Sequence, residues 1–163
     1  MILGMSVQAF LALHVILSLL GIVSGLAVAS EMLRGRYPAA MTAIFLATTI
    51  LTSATGFPLP PYGFDPPRIV GALSLALLAL AVAGLYVFKL AGAWRWIYLS
   101  TALAALYLNC FVAVIQSFQK VPAVNALAPT QTEAPFLVAQ VVVIVAFVAV
   151  GVVAIRHRTA AQS

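Results

Sequence analysis

His14 has the widest chemical range of any side chain in the sequence, because it stands inside a long apolar segment. Imidazole can bind haem iron, hold a quinone oxygen or relay a proton, and an ionisable group at such a depth indicates function by default. The other histidine, His157, lies in a basic tail. Bis-histidine haem binding within one chain is therefore excluded. Haem shared between protomers, quinone binding and a plain hydrogen bond between helices stay open.

Other polar side chains recur at helical spacing in the apolar segments, so that several share one face of a helix. In the first segment, His14 and Ser18 lie on the same face as Gly21 and Gly25. Polar faces of three helices that met would form a pocket, although such residues also commonly serve only to pack helices together. The candidate ligand-binding residues are His14, Thr48, Thr52, Thr55, Asn109, Gln116, Lys120 and Gln140.

Catalytic equipment is sparse. Cys110 is the single cysteine, which excludes an intrachain disulfide and a CxxC redox pair. General acid–base chemistry within the apolar segments would depend on His14, Cys110 and a few tyrosines. We therefore predict no catalytic residue and no metal site, and the sequence favours a protein that is not an enzyme. It leaves any cofactor unspecified.

The amino-acid composition indicates that the protein lies in a lipid bilayer. Of its 163 residues, 64% are hydrophobic and 7% are charged, whereas soluble domains carry roughly 45 to 50% and about 25%. Five apolar segments have the length of about 20 residues that a membrane-spanning helix needs, and lipid favours helices because each pairs its own backbone. The prediction is one all-α integral membrane domain over residues 1–163, a bundle of five transmembrane helices at 7–30, 38–56, 69–88, 97–118 and 136–155.

Basic residues predict the orientation, since cytoplasmic loops carry an excess of Lys and Arg. Six of the eight lie in the loops after the first and third segments and in the tail, and the other two are Arg68 and Lys120. The amino terminus is thus predicted outside and the carboxyl terminus in the cytoplasm, with the candidate binding residues in the external half. Trp94, Trp96 and Tyr98 are expected at the cytoplasmic interface. The scattered charges show no nucleic-acid stripe.

Three segments resemble a group of uncharacterised bacterial inner-membrane proteins. They are TSATGFPLP at 52–60, GAWRWIY at 92–98 and LYLNCFVAVIQSFQKVPAVNALAPTQ at 106–131. The resemblance implies a multi-pass protein of the bacterial inner membrane. It transfers no functional residue, because that group has no assigned activity.

The sequence favours a non-enzymatic membrane protein with a polar pocket in the external half of the bilayer. That pocket would bind a small amphiphilic ligand or a partner subunit. Two alternatives stay open, namely a haem- or quinone-binding redox protein that uses His14 and an oligomeric transporter or channel. The expected partners are the lipid bilayer and a membrane subunit or further copies of the chain, with no nucleic acid.

Overall fold

The protein is described by a computed structural model that covers residues 1–60 and 66–159. Every regular element in these residues is helical, which confirms the predicted all-α class. The helices are α1 (Val7–Leu33), α2 (Ala39–Thr55), α3 (Pro66–Val82) with a π-helical turn (Ala83–Val87), α4 (Trp94–Lys120), the short α5 (Pro122–Asn125) and α6 (Ala134–Thr159).

Four helices are long and apolar enough to cross a membrane: α1, α3 with its π-helical turn, α4 and α6. The protein is therefore a multi-pass membrane protein. The remaining long helix, α2, has 17 residues, so it extends about 25 Å at 1.5 Å per residue. It is apolar but shorter than the hydrocarbon core, which is about 30 Å thick.

The centre of the bundle is α4. In its most apolar stretch 44% of the residues are buried, against 22% in α1 and 0% in α6. It contacts α1, α2, α3 and α6, and α1 also packs along α2. Small residues such as Ala102 and Ala105, which are almost completely buried, let neighbouring helices approach closely. Long helices that follow one another in the chain run antiparallel, so one end of the bundle carries Lys120 and the opposite end carries Glu31. We call them the Lys120 end and the Glu31 end.

Tyr98 departs from its expected position. Trp96 is 38% exposed, but Tyr98 is completely buried and its ring lies edge-on to Tyr37, with 5.8 Å between the ring centroids. Tyr98 therefore packs inside the bundle and does not present its ring to the surroundings of the protein. One turn inside α4, this residue faces α2, and its hydroxyl lies near that of Thr42 without reaching hydrogen-bond geometry.

The π-helical turn lets α3 and α4 meet at the Glu31 end. The amide of Phe88 donates to the Ala83 carbonyl oxygen at 2.9 Å, a span of five residues. A Cβ atom on Gly84 would lie 3.2 Å from the Trp94 carbonyl oxygen, and the Phe88 and Trp94 rings stack with centroids 3.7 Å apart. The wider turn thus brings a glycine against the neighbouring backbone.

At the Lys120 end, side chains form hydrogen bonds to the backbone of the segments that connect the helices. Arg68 of α3 donates to the Leu59 carbonyl oxygen at 2.7 Å, and Asn125 donates to that of Phe118 at 2.8 Å. The loop between α4 and α6 therefore folds back onto α4. Between α2 and α3, residues 61–65 lie outside the described part of the chain.

The carboxylate of Glu133 organises the turn before α6. Its Oε1 atom accepts a hydrogen bond from the Thr130 hydroxyl at 2.9 Å, and its Oε2 atom accepts one from the Thr132 backbone N–H at 3.1 Å. Desolvation alone would raise the pKa of this carboxyl, but the hydrogen bonds outweigh it and hold the pKa below its usual value.

Glu133→Gln is expected to lower the melting temperature at neutral pH and to leave it unchanged in acid. A carboxyl whose pKa is lower in the folded state stabilises the fold above its unfolded pKa, and this stabilisation is lost as the pH falls through the folded value. The difference between wild type and variant should therefore shrink once the pH drops below about 4. Thermal unfolding in detergent at about pH 7 and about pH 3 measures it. A difference of the same size at both pH values would contradict the prediction.

Candidate functional site

Two glycines of α1 allow it to lie directly against α2 and α4. A Cβ atom on Gly25 would stand 2.5 Å from Cδ1 of Leu106 and 2.8 Å from Cδ2 of Phe45. A Cβ atom on Gly21 would stand 2.9 Å from Oγ1 of Thr49 and 3.2 Å from Nδ2 of Asn109. The glycine face of α1 is therefore in contact with both helices.

Ser18 and Asn109 join α1 to α4 by two hydrogen bonds. The Ser18 hydroxyl donates to Oδ1 of Asn109 at 2.8 Å, and Nδ2 of Asn109 donates to the Ser18 carbonyl oxygen at 3.3 Å. Asn109 is 8% exposed. An amide buried in an apolar bundle needs such partners, because an unpaired polar group costs free energy in this setting.

His14 is held by α2 through a chain of hydrogen bonds. The Thr55 hydroxyl donates to the Leu51 carbonyl oxygen at 2.7 Å, which uses its one proton. The Thr55 oxygen lies 2.9 Å from Nδ1 of His14, and with the Thr55 proton on Leu51 it accepts from the Nδ1–H. In the neutral imidazole, Nε2 then carries the lone pair. This atom has no hydrogen-bond partner among the described residues.

Thr52 differs from its neighbours on the same face of α2. Thr48 and Thr49 each donate to the carbonyl oxygen one turn earlier, at 2.7 Å. Thr52 is 8% exposed, and its buried hydroxyl oxygen has no partner in the structure. Most buried polar atoms in proteins are paired. Thr42, near the other end of α2, has a second buried hydroxyl without a partner, so Thr52 is the unpaired one on the side of His14.

The register of α1 against α2 brings Thr52 level with Ser18. Gly21 of α1 contacts Thr49 of α2. Because the two helices are antiparallel, Ser18, three residues before Gly21, lies level with Thr52, three residues after Thr49. Polar groups of three helices therefore come together at about one depth. We call this group the polar cluster; it consists of His14, Ser18, Thr52, Thr55 and Asn109.

Gln116 and Lys120 lie nearer the end of α4, on the same face as Asn109. Gln116 is half-buried and makes no hydrogen bond to the residues that the structure describes. Lys120 is exposed in the last turn of the helix, and its ammonium is within electrostatic range of His14. Gln116 thus lies between the polar cluster and the Lys120 end of the bundle, and Lys120 lies at that end.

Gln140 belongs to a different interface. Its Nε2 atom donates to the Phe111 carbonyl oxygen of α4 at 3.3 Å, while its Oε1 atom is buried without a partner. The face of α4 towards α6 carries Tyr107, which contacts Phe147. Tyr107 and Asn109 are two residues apart and so point to nearly opposite sides of the helix, about 200° apart. The structure therefore places Gln140 away from the polar cluster.

Ser18 belongs to the polar cluster and Thr49 lies beside it against Gly21, although neither is among the predicted ligand-binding residues. The sequence carried a signal for Ser18, which stands one turn after His14 on the glycine face of α1. Thr48, which is among the predicted residues, contacts Gly21 and donates to its own backbone. Its role in the structure is helix packing.

The polar cluster contains hydrogen-bonding side chains and one imidazole. No group of three or more metal-ligating side chains comes together within residues 1–60 and 66–159. The chain matches no family model, curated protein or solved structure. The open apolar groove along α6, between Ile144 and Val153, contains none of the predicted binding residues. The polar cluster offers one free acceptor at Nε2 of His14 and one free hydroxyl at Thr52.

Proposed function

We propose that all five long helices span the bacterial inner membrane, with the amino terminus and the Lys120 end outside. The distribution of Lys and Arg, six against two, supports this orientation. An α2 helix of 17 residues is compatible with spanning, because a bilayer thins locally around a short helix at a modest cost. The polar cluster then lies in the external half, since His14 is about 10 Å along α1 from its start.

In this membrane the protein acts as a non-enzymatic binding protein. It holds a small amphiphilic molecule, with the head group at the polar cluster and the tail in lipid. The observation that carries this proposal is the free acceptor at Nε2 of His14. An imidazole oriented by a threonine of another helix, with its second nitrogen unused, is the arrangement that a bound head group would complete. The free hydroxyl of Thr52 provides a second contact.

We expect His14→Ala to abolish retention of this molecule, because Nε2 supplies the outermost polar contact. Native mass spectrometry of protein released from a mild detergent should detect a bound amphiphile, distinct in mass from the bilayer phospholipids, on the wild type and not on the variant. His157→Ala, the matched change in the tail, should keep the mass. Thr52→Val should weaken retention more than Thr42→Val, since both hydroxyls are buried on α2 without a partner but lie in opposite halves. A wild-type protein without any bound mass would overturn the proposal.

A redox protein is the second candidate, and the hydrogen bond at Nδ1 of His14 favours it. Histidines that bind metal usually donate their other ring N–H to an oxygen, so Nε2 of His14 would be free to hold haem iron, which would supply redox chemistry. A second ligand would come from a partner subunit or from another residue type. A visible absorption spectrum of the purified protein tests this candidate. A haem Soret band that disappears in His14→Ala would favour it over the binding of a colourless amphiphile.

Partner binding and transport are the remaining alternatives. A subunit whose polar side chain donated to Nε2 would satisfy the same acceptor as an amphiphile. The threonine face of α2 packs against α1 of the same chain, so its position offers no support for a pore between protomers.

A further inference from the structure

Which ring nitrogen of His14 donates a hydrogen bond and which accepts one restricts the kind of head group that the proposed ligand can have. While Thr55 gives its proton to the Leu51 carbonyl oxygen, the contact of 2.9 Å between Nδ1 and Oγ1 is a hydrogen bond donated by the Nδ1–H of His14. The other tautomer would need Thr55 to turn its proton to Nδ1 and to give up its bond to Leu51. In its neutral form, His14 therefore presents an acceptor, and not a donor, to any molecule that reaches Nε2.

The position of Nε2 in the bundle determines how a ligand can reach it. Nε2 is not among the buried atoms that lack a partner, and His14 itself is half-buried, so the atom lies at the edge of the bundle. Beneath it, the hydroxyl of Thr52 keeps its proton free, unlike those of Thr48 and Thr49. A bound head group thus meets the acceptor at the edge of the bundle, whereas the Thr52 hydroxyl, about one turn along α2 from Thr55, is buried.

We infer that the ligand donates a hydroxyl hydrogen bond to Nε2 of His14, as a hydroquinone or an acylglycerol does and a quinone cannot. The inference rests on the proposed function and adds the chemical class of the head group. A quinone carbonyl brings its lone pair against that of Nε2, whereas the hydroquinone of the same ring brings a proton. In a bilayer that supplies no competing water, this contrast separates two molecules that differ by two hydrogen atoms.

A matched pair of ligands tests the inference. Protein in nanodiscs is titrated anaerobically with a short-chain hydroquinone, with its oxidised quinone and with monodecanoylglycerol. We expect the hydroquinone to bind about tenfold more tightly than the quinone, the ratio that corresponds to about 1.4 kcal/mol. Binding of monodecanoylglycerol as well would assign the hydroxyl alone as the recognised group, and its failure to bind would assign an aromatic hydroxyl. Equal affinities, tighter binding of the quinone, or no binding of any of the three would each overturn the inference.

Two further measurements separate this inference from the proposed function. Thr55→Val removes the acceptor that selects the tautomer, so the preference for hydroquinone should fall to less than about threefold, while Thr55→Ser should retain it. In a His157→Asn background, ¹⁵N NMR of the single remaining imidazole should show protonated Nδ1 and unprotonated Nε2. Protonation at Nε2 would overturn the inference even if native mass spectrometry still found a bound mass.

Discussion

Gly25→Val is expected to destabilise the protein by about 3 kcal/mol, the upper end of the usual cost of overpacking a core. Its first added atom would lie 2.5 Å from Cδ1 of Leu106 and 2.8 Å from the ring of Phe45. Both neighbours are 1% exposed, so neither can turn towards lipid to make room. To accept the valine, α1 must move away from both helices.

Gly151→Val is the matched control, because a Cβ atom on Gly151 would meet nothing within 4 Å. The same change of residue, also within a helix, should then cost less than about 1 kcal/mol. Unfolding of both variants in mixed detergent and SDS measures the difference. Equal losses of stability would show that the close approach of α1 to α2 and α4 is not what Gly25 provides.

Asn109→Asp is expected to cost about 3 kcal/mol at neutral pH, which is the scale of an acidic residue placed in mid-membrane. The side chain is 8% exposed and pairs with Ser18 through both its oxygen and its nitrogen. A carboxylate would lose the donor to the Ser18 carbonyl oxygen and bring a charge into the bundle. A protonated carboxyl would avoid the charge only at the cost of binding a proton from neutral solution.

Asn109→Leu separates the loss of hydrogen bonds from the burial of charge. Leucine removes both contacts with Ser18 without adding a charge, and hydrogen bonds between membrane helices contribute about 1 kcal/mol. The same unfolding assay should therefore rank wild type, Asn109→Leu and Asn109→Asp in that order of decreasing stability. A leucine variant as unstable as the aspartate variant would contradict the assignment of the larger cost to charge.

The periodicity of the first helix was informative because it concerns one element. Spacing alone places His14, Ser18, Gly21 and Gly25 on one face, and the structure shows that face in contact with α2 and α4. The helices themselves follow from apolar length, although four of them extend beyond their apolar cores into polar ends.

Which helices meet could not be read from the sequence. Gln140 has the same polarity as Asn109, yet it lies on the opposite side of α4, because a helical period gives a direction only relative to its own axis. Tyr98 has the type of side chain that is common at membrane interfaces, yet it is buried, because α2 packs over it on α4. The π-helical turn and the contact of Gly84 with Trp94 likewise have no local sequence pattern that predicts them.

The central place of α4 has a consequence for biosynthesis. A membrane chain is made and inserted from its amino terminus, so α1 enters the bilayer long before α4. His14 can find Thr55 once the α1–α2 hairpin has formed, but Ser18 must wait for Asn109, 91 residues later in the chain. Assembly of the polar cluster therefore has an early step and a late one. Until the late step, α2 covers one side of the glycine face of α1, and the side that later packs on α4 faces lipid or the translocation machinery.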